Sequence, residues 1–374
     1  MAFLHAYSCE CMKSEPELFT LPPTQTTIES AQWVHYKPIS SLTDDSPIEF
    51  VVPGNGDEYL VASSPCNLAH TMLSLRVQLR SKNAAYIETF LNYGPAAKES
   101  HLSSVLWYND TPGHMHDTAG KNIGLANRQA FVGKNSTVDL IGHLHCDVFN
   151  QEIVSLNSVE HHLRLIRTRD GFSLMEPKRE CSLHITEVTL LVRRTKINPG
   201  ILLAHSKMLS KMTAKYPLTR VEVKVLTMHA GLHGSTMDNV SLRKLSKRII
   251  IGFIYNKAFN VPSKALQTDF DKAGLYVDAY HTLFSGTGIN FLNEGNSISK
   301  SAYADGYCLF VFDLTPDLSA NSNTHWNLIK HGSVRIEVRS DEPLATTVDC
   351  IVYAEYDNVL EIDASRQIVI NYGG

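Results

Sequence analysis

Two histidine pairs have the residue types and spacing for metal chemistry. His114 and His116 in GHMHD, and His143 and His145 in GHLHCD, would each place two imidazoles on one face of an extended strand, because side chains two apart in a strand point the same way. Asp117, Cys146 and Asp147 follow closely as further ligand types. Metal-binding β-barrels of the H-x-H kind also carry a Glu shortly after the second His and a Gly after a further short gap, and both copies lack them. Loop or core histidines with ordinary hydrogen bonds are the competing reading. Cys9-Glu10-Cys11 has no second cysteine pair and makes a weaker metal candidate.

Phosphate and nucleophile chemistry finds less support. DTAGKNIG resembles a fragment of a P-loop, but its upstream Gly is misplaced and Asn122 stands where a Ser or Thr should follow Lys121. No G-x-S-x-G elbow occurs, and no cysteine has a nucleophile's setting. The scattered Asp and Glu residues cannot be paired across loops of unknown course, so a glycosidase reading stays open and unsupported. The densest basic run is RKLSKR, with Arg243, Lys244, Lys247 and Arg248. It reads as an import signal or a patch facing DNA, or as a solvated strand entrance before IIIGFI. Aromatic residues do not interleave with it as in a single-strand binding face.

The elements that would position these residues are mostly strands. A chain of 374 residues has room for two domains, each with its own core. With 43% hydrophobic and 19% charged residues, and a mean hydropathy of -0.12, it should fold. A formal net charge of -4 provides no overall basic field, so any DNA contact would be local. The N-terminus has no basic start or sustained apolar run, and no later segment is apolar for long enough to span a bilayer. Neither secretion nor membrane insertion is indicated. The seven cysteines, Cys9, Cys11, Cys66, Cys146, Cys181, Cys308 and Cys350, are odd in number and mostly isolated, which suits reduced thiols inside a cell. The glycosylation-type triplets at Asn109, Asn135 and Asn239 then read as chance matches.

Residues 1–46, rich in Pro, Ser and Thr, read as an extended arm in which Leu18, Phe19 and Trp33 are apolar anchors for a neighbouring surface or for their own domain. Strand alternation then runs through IEFVV and TMLSLRVQLR, where Leu73, Leu75, Val77 and Leu79 alternate with polar residues. NAAYIETFLNYG has helical spacing, and Ser103 to Val138 reads as loop. Strand signals resume at VDLIGHLHCDVF, HHLRLIRT, FSLM and CSLHITEVTLLVRR. NPGILLAHSKMLSKMTAK is the best helix, with Pro199 in its first turn. Beyond it come YPLTRVEVKVLTM, KRIIIGFIYNKAF, GYCLFVFDL, GSVRIEVRS, VDCIVYAEYDNVLEI and QIVINYG. Val221, Val223 and Val225 alternate with Arg220, Glu222 and Lys224, the period of a strand. Val334, Ile336 and Val338 alternate with Arg335, Glu337 and Arg339 in the same way. RIIIGFI is continuous, as a strand covered on both faces would be. The expected fold class is all-β, with two tandem jelly-roll (Greek-key β-sandwich) domains joined by a helix: arm 1–46, jelly roll 1 over 47–195, connector helix 196–216, jelly roll 2 over 217–374.

The order of elements resembles a known family. ELFTLPPTQTTI, IEFVVPGNGDEYL, LHCDVFNQEIVSLNSVEHHLRLIR, FSLM, TLLVRRTKINPGILLAHSKML and AKYPLTRVEV are followed by KRIIIGFIYNKAFN, YADGYCLFVFDLTPDL and GSVRIEVRSDEPLATTVDCIVYAEYDNVLEID. Together they resemble the double jelly-roll major capsid proteins of Polinton/Maverick elements, adintoviruses and related double-stranded DNA viruses, in particular endogenous copies in invertebrate genomes. The resemblance covers nearly the whole chain. It departs at one place: the family has a further segment between the SLRVQL-type strand and the AYIETFLNYG-type helix, and only Arg80-Ser81-Lys82-Asn83 stands there. The first jelly roll is therefore read as short by one or two strands.

The resemblance implies a structural role and no enzyme activity. The chain would form a homotrimer, a pseudo-hexameric capsomer that tiles an icosahedral shell, with capsomer–capsomer contacts. Penton and minor capsid proteins are the implied partners, packaged double-stranded DNA is touched only indirectly, and no cofactor is needed. Location would be the virion capsid, with intracellular assembly. The arm would strap neighbours, and the segments Ser103 to Gly133 and Ser285 to Ser301 would form the outer crown. Two alternatives remain: a cupin-like metal-dependent enzyme using His114/His116 or His143/His145, and a domesticated, non-assembling β-sandwich binding protein.

Overall fold

The computed structural model describes residues 26–44, 46–54, 58–61, 71–77, 89–91, 93–115, 117–131, 137–144, 149, 155–166, 184–255, 264–265, 276–289, 295–321, 325–326 and 331–370. Within them the fold is all-β, two jelly-roll domains in tandem with a helix between them.

The first domain contains β1 (Ile28–Tyr36), β2 (Ile48–Val52), β3 (Glu58–Val61), β4 (Thr71–Val77), the short helix α1 (Pro95–Glu99), helix α2 (Ile123–Phe131), β5 (Val138–His143), β6 (His161–Leu165) and β7 (Ile185–Ile197). β7 is the spine of the larger sheet. β1 lies on one edge, β3 and β4 share the other, and β5 continues outward from β4, all antiparallel. β2 and β6 form the facing sheet. Ile48, Phe50 and Val52 of β2 pack on Val188, Leu190 and Val192 of β7, and this inter-sheet layer is the first core.

The connector is α3 (Pro199–Leu209). The Asn198 side chain caps it by accepting the Gly200 N–H at 2.8 Å, and Pro199 occupies the first turn, where its missing N–H costs nothing. Leu209 buries with Tyr59, Leu156, Val159, Ile197, Tyr216 and Ile362, so the end of one sheet, the helix and the start of the next share one apolar cluster.

The second domain holds β8 (Ala214–Met228), β9 (Gly234–Lys244), β10 (Arg248–Tyr255), β11 (Lys264–Ala265), helices α4 (Val277–Ser285) and α5 (Lys300–Ala304), β12 (Leu309–Asp313), β13 (His331–Arg339), β14 (Val348–Ile362) and β15 (Ile368–Ile370). β14 is its spine. β8 pairs along its whole length on one edge, β10 and β15 occupy the other, and β11 and β12 share the far edge of β10. β9 and β13 form the facing sheet. Ile249 and Ile251 point into the layer between the sheets with Val348, Cys350 and Val352. Ile250 points the other way, into a second cluster with Leu283, Tyr303, Val311 and Tyr353. The continuous run RIIIGFI is thus buried on both faces, as its pattern predicts.

Three features differ from the sequence reading. Residues 28–36, within the expected arm, form β1 and pair with β7. Seven of its nine positions are exposed, so burial leaves little alternation to read. The stretch expected to be loop from Ser103 to Val138 contains α2, which is held by side-chain contacts and not by an apolar face. GSTMDNVSLRK forms β9, a strand whose polar composition hid it. β8, whose alternation assigned no facing, carries its valines outward. Of the predicted helix over 83–94, Thr89 to Leu91 are helical. Residues 83–88, FSLM, Leu18, Phe19 and the Cys9-Cys11 pair lie outside the described residues.

Candidate functional site

The polar groups of greatest chemical interest lie at a seam where the first half reaches the second domain. Phe90 and Leu91 enter the cluster over Ile250, and Phe90 stacks on Tyr307 with ring centroids 4.9 Å apart. From α1, Lys98 turns inward until it is 4% exposed. Its Nζ donates to the Phe90 carbonyl at 2.8 Å and to the Asn296 carbonyl at 2.9 Å, and lies 4.9 Å from the Phe90 ring centroid. Burial holds the Lys98 amine down to about 8, because a cation taken from water loses its solvation. Lys98 is therefore a clamp across the two halves, and its charge opposes its burial.

A second knot sits beside it. Asn122, fully buried, donates from Nδ2 to Asp110 Oδ1 and to the Met115 carbonyl, both at 2.9 Å, while its Oδ1 accepts the Thr111 and Leu125 N–H groups. Asp110 also pairs with Arg128 of α2, and the Asp110 carbonyl accepts the Tyr307 hydroxyl at 2.6 Å. Gly124 lets α2 press on the Asn109 carbonyl more closely than any Cβ would allow. Gly113 N–H donates to the Asp305 carbonyl at 2.7 Å. The chain around residues 98–128 and the chain around 296–307 therefore meet along this seam, which overlaps the expected crown segments only in part. The Asn that spoils the phosphate-loop pattern is the residue that organises it.

Of the metal candidates, His116, His145, Cys146 and Asp147 lie outside the described residues. His114 is exposed in a turn, and the Asp117 carboxylate accepts the Ala119 N–H at 2.7 Å and the Lys121 N–H at 3.3 Å, which lowers its pKa. His143 ends β5 opposite Met72. Among the described residues no three of His, Cys, Asp and Glu gather where they could hold a metal ion.

The basic run is largely drawn into the second domain. Arg248 is 6% exposed and forks onto Glu355 at 2.6 and 3.0 Å. Lys247 pairs with Asp357 at 3.1 Å, and Lys244 donates to the Asp357 carbonyl. A DNA-facing patch would need these heads in solvent, and they tie β9 and β10 to β14 instead. Sequence reasoning missed Lys98, Asn296 and Arg248 as buried polar groups, since nothing local marks a Lys in PAAKE as buried.

At the domain junction, Tyr59 OH lies 3.1 Å from His205 Nδ1, the Leu156 N–H donates to Tyr216 OH at 3.0 Å, and Arg366 donates to Asn157 at 3.0 Å. Burial raises both phenols. Each of these bonds joins segments distant in sequence, and none presents an acid–base pair to solvent. The outward surface is distinctive on β8, where Val221, Val223 and Val225 are 41%, 56% and 58% exposed.

No family model matches the chain. A curated uncharacterized protein of Caenorhabditis elegans is 22% identical over 431 aligned positions, covering 94% of this chain and 99% of that protein. The alignment is longer than the 374 residues of this chain, so the relative carries segments with no counterpart here. Among solved structures, the Sputnik virophage, determined by cryo-EM, contains a chain similar in fold, with a TM-score of 0.62 at 9% identity over 98% of this chain and 94% of that one. The mavirus major capsid protein overlaps 99% of this chain and 96% of its own at 9% identity, with a TM-score of 0.45. No helix of the described residues is long and apolar enough to cross a membrane.

Proposed function

We propose that this chain is a capsid-type structural protein whose work is self-association. The observation that carries this reading is the likeness in fold to the Sputnik chain, which runs through both jelly rolls and the connector and covers nearly all of each chain. On this reading three copies close into a pseudo-hexameric capsomer, and capsomers meet side to side in a shell. Penton and minor capsid proteins are its further partners, and the virion capsid is its place. The sequence motifs favour an origin among Polinton and adintovirus relatives carried in an invertebrate genome. On this reading the segments Ser103 to Gly133 and Ser285 to Ser301 form the outer crown, and the seam at Lys98, Asn122, Asp305 and Tyr307 lies beside them.

Negative-stain images of concentrated purified protein test the reading. Threefold particles with a six-sided outline, or shell fragments, support it, and a field of single small particles at every concentration contradicts it.

A further inference from the structure

β8 is the longest edge strand of the second domain: fifteen residues, paired with β14 on one edge and, among the described residues, with no strand on the other. Its orientation is unusual. Val221, Val223 and Val225 face out at 41–58% exposure, while Arg220, Glu222 and Lys224 face inward. Lys224 donates to the Val240 carbonyl at 2.6 Å, Arg220 lies over the Tyr356 ring, and Arg220 pairs with Glu222 at 2.9 Å. A long edge that carries no strand among the described residues and is flanked by an apolar stripe is a template for another strand.

The geometry points to a second copy of this chain as the occupant, with the two β8 strands pairing antiparallel about a twofold axis at Val223. The sequence is self-complementary in that register. Glu222 stands opposite Lys224 of the second copy and Lys224 opposite its Glu222. On the outer face, Val221 stands opposite Val225, Val223 opposite itself, and Thr219 opposite Thr227. Opposite charges, β-branched pairs and Thr–Thr pairs are favourable cross-strand neighbours. Moving the axis by one residue to Glu222 sets Glu222 against itself and Arg220 against Lys224, which like charges oppose. The contact joins two six-stranded sheets into one and merges the two valine stripes. It rests on the self-associating role proposed above.

Directly opposite residues of an antiparallel pair have Cα atoms about 5 Å apart, within disulfide range. Val223→Cys should therefore cross-link to itself under mild oxidation, and a mixture of Val221→Cys and Val225→Cys should cross-link to each other. Thr227→Cys alone should not cross-link to itself, and the unsubstituted chain run beside them sets the background from native cysteines. Val223→Lys should keep the fold by circular dichroism and weaken the pairing about tenfold or more. Light scattering on the same samples separates the two ideas. Associated protein in which Val223→Cys stays uncrosslinked and Val223→Lys associates normally overturns the β8 contact alone. Unsubstituted protein that is monomeric at every concentration overturns the self-association reading as well.

Discussion

β8 and β13 carry nearly the same alternating pattern and face opposite ways. In β13, Val334, Ile336 and Val338 pack against the core between the sheets, and Arg335, Glu337 and Arg339 reach solvent. In β8 the valines reach solvent, and the charged positions turn toward the inside of the sandwich. Alternation fixes the period of a strand, but the strand's neighbours fix which face is covered. β13 lies in the smaller sheet, whose one covered face meets β14's sheet. β8 lies at the edge of the larger sheet. Its valines share the face covered elsewhere by α4, α5 and the seam, and that cover stops short of them.

The sharpest break of the comparison sets two ion pairs against each other. Glu355→Ala on β14 leaves Arg248 buried without its carboxylate and should cost about 3–5 kcal/mol in urea unfolding. Glu222→Ala on β8 removes a part-exposed pair with Arg220 and should cost about 0.5 kcal/mol. The same experiment on the apolar faces comes next. Ile336→Asp puts a carboxylate against the core and should cost about 2–4 kcal/mol. Val223→Asp should leave the stability of the isolated chain within about 0.5 kcal/mol while weakening the β8 contact between copies. Equal losses for the two variants would mean that β8 is covered within its own chain.

Lys98 extends the comparison to pH. The unfolded chain holds this proton up to the ordinary lysine value of 10.5, whereas the folded chain releases it near 8. Between those values the unfolded state binds more protons, so the folded state gains stability as pH rises, by about 1–3 kcal/mol in all. Lys98→Met should remove that rise, and chemical unfolding at pH 7.5 and pH 10 in both proteins measures it. The smallest effect is kinetic. Cys350, fully buried with its pKa pushed up to about 11, should label with a thiol reagent only as fast as the second domain opens. Labelling at the rate of a free thiol would place it outside the core.

Much of the fold was legible because the pattern and the cover agreed. RIIIGFI declared a strand buried twice over, and Asn198-Pro199 declared the start of the connector. Where cover comes from far along the chain, the signal vanished. β1 is exposed at most positions and is held by hydrogen bonds to β7, which composition does not record. α2 is fixed by Asn122, Asp110 and Arg128, polar residues that read as loop until their partners are seen. The basic run read as a surface because a Lys or Arg usually is one, and Glu355, 107 positions away, made it interior. The functional reading came from the order of motifs along the chain, and the whole-chain likeness to the Sputnik chain bears on the fold.

The most direct test of the central claim is the mass of the purified chain in solution, measured by mass photometry across a concentration series. Self-association as proposed predicts a discrete species near three times the 41.7 kDa chain, with larger assemblies growing from it as concentration rises. A single 41.7 kDa species throughout would contradict it.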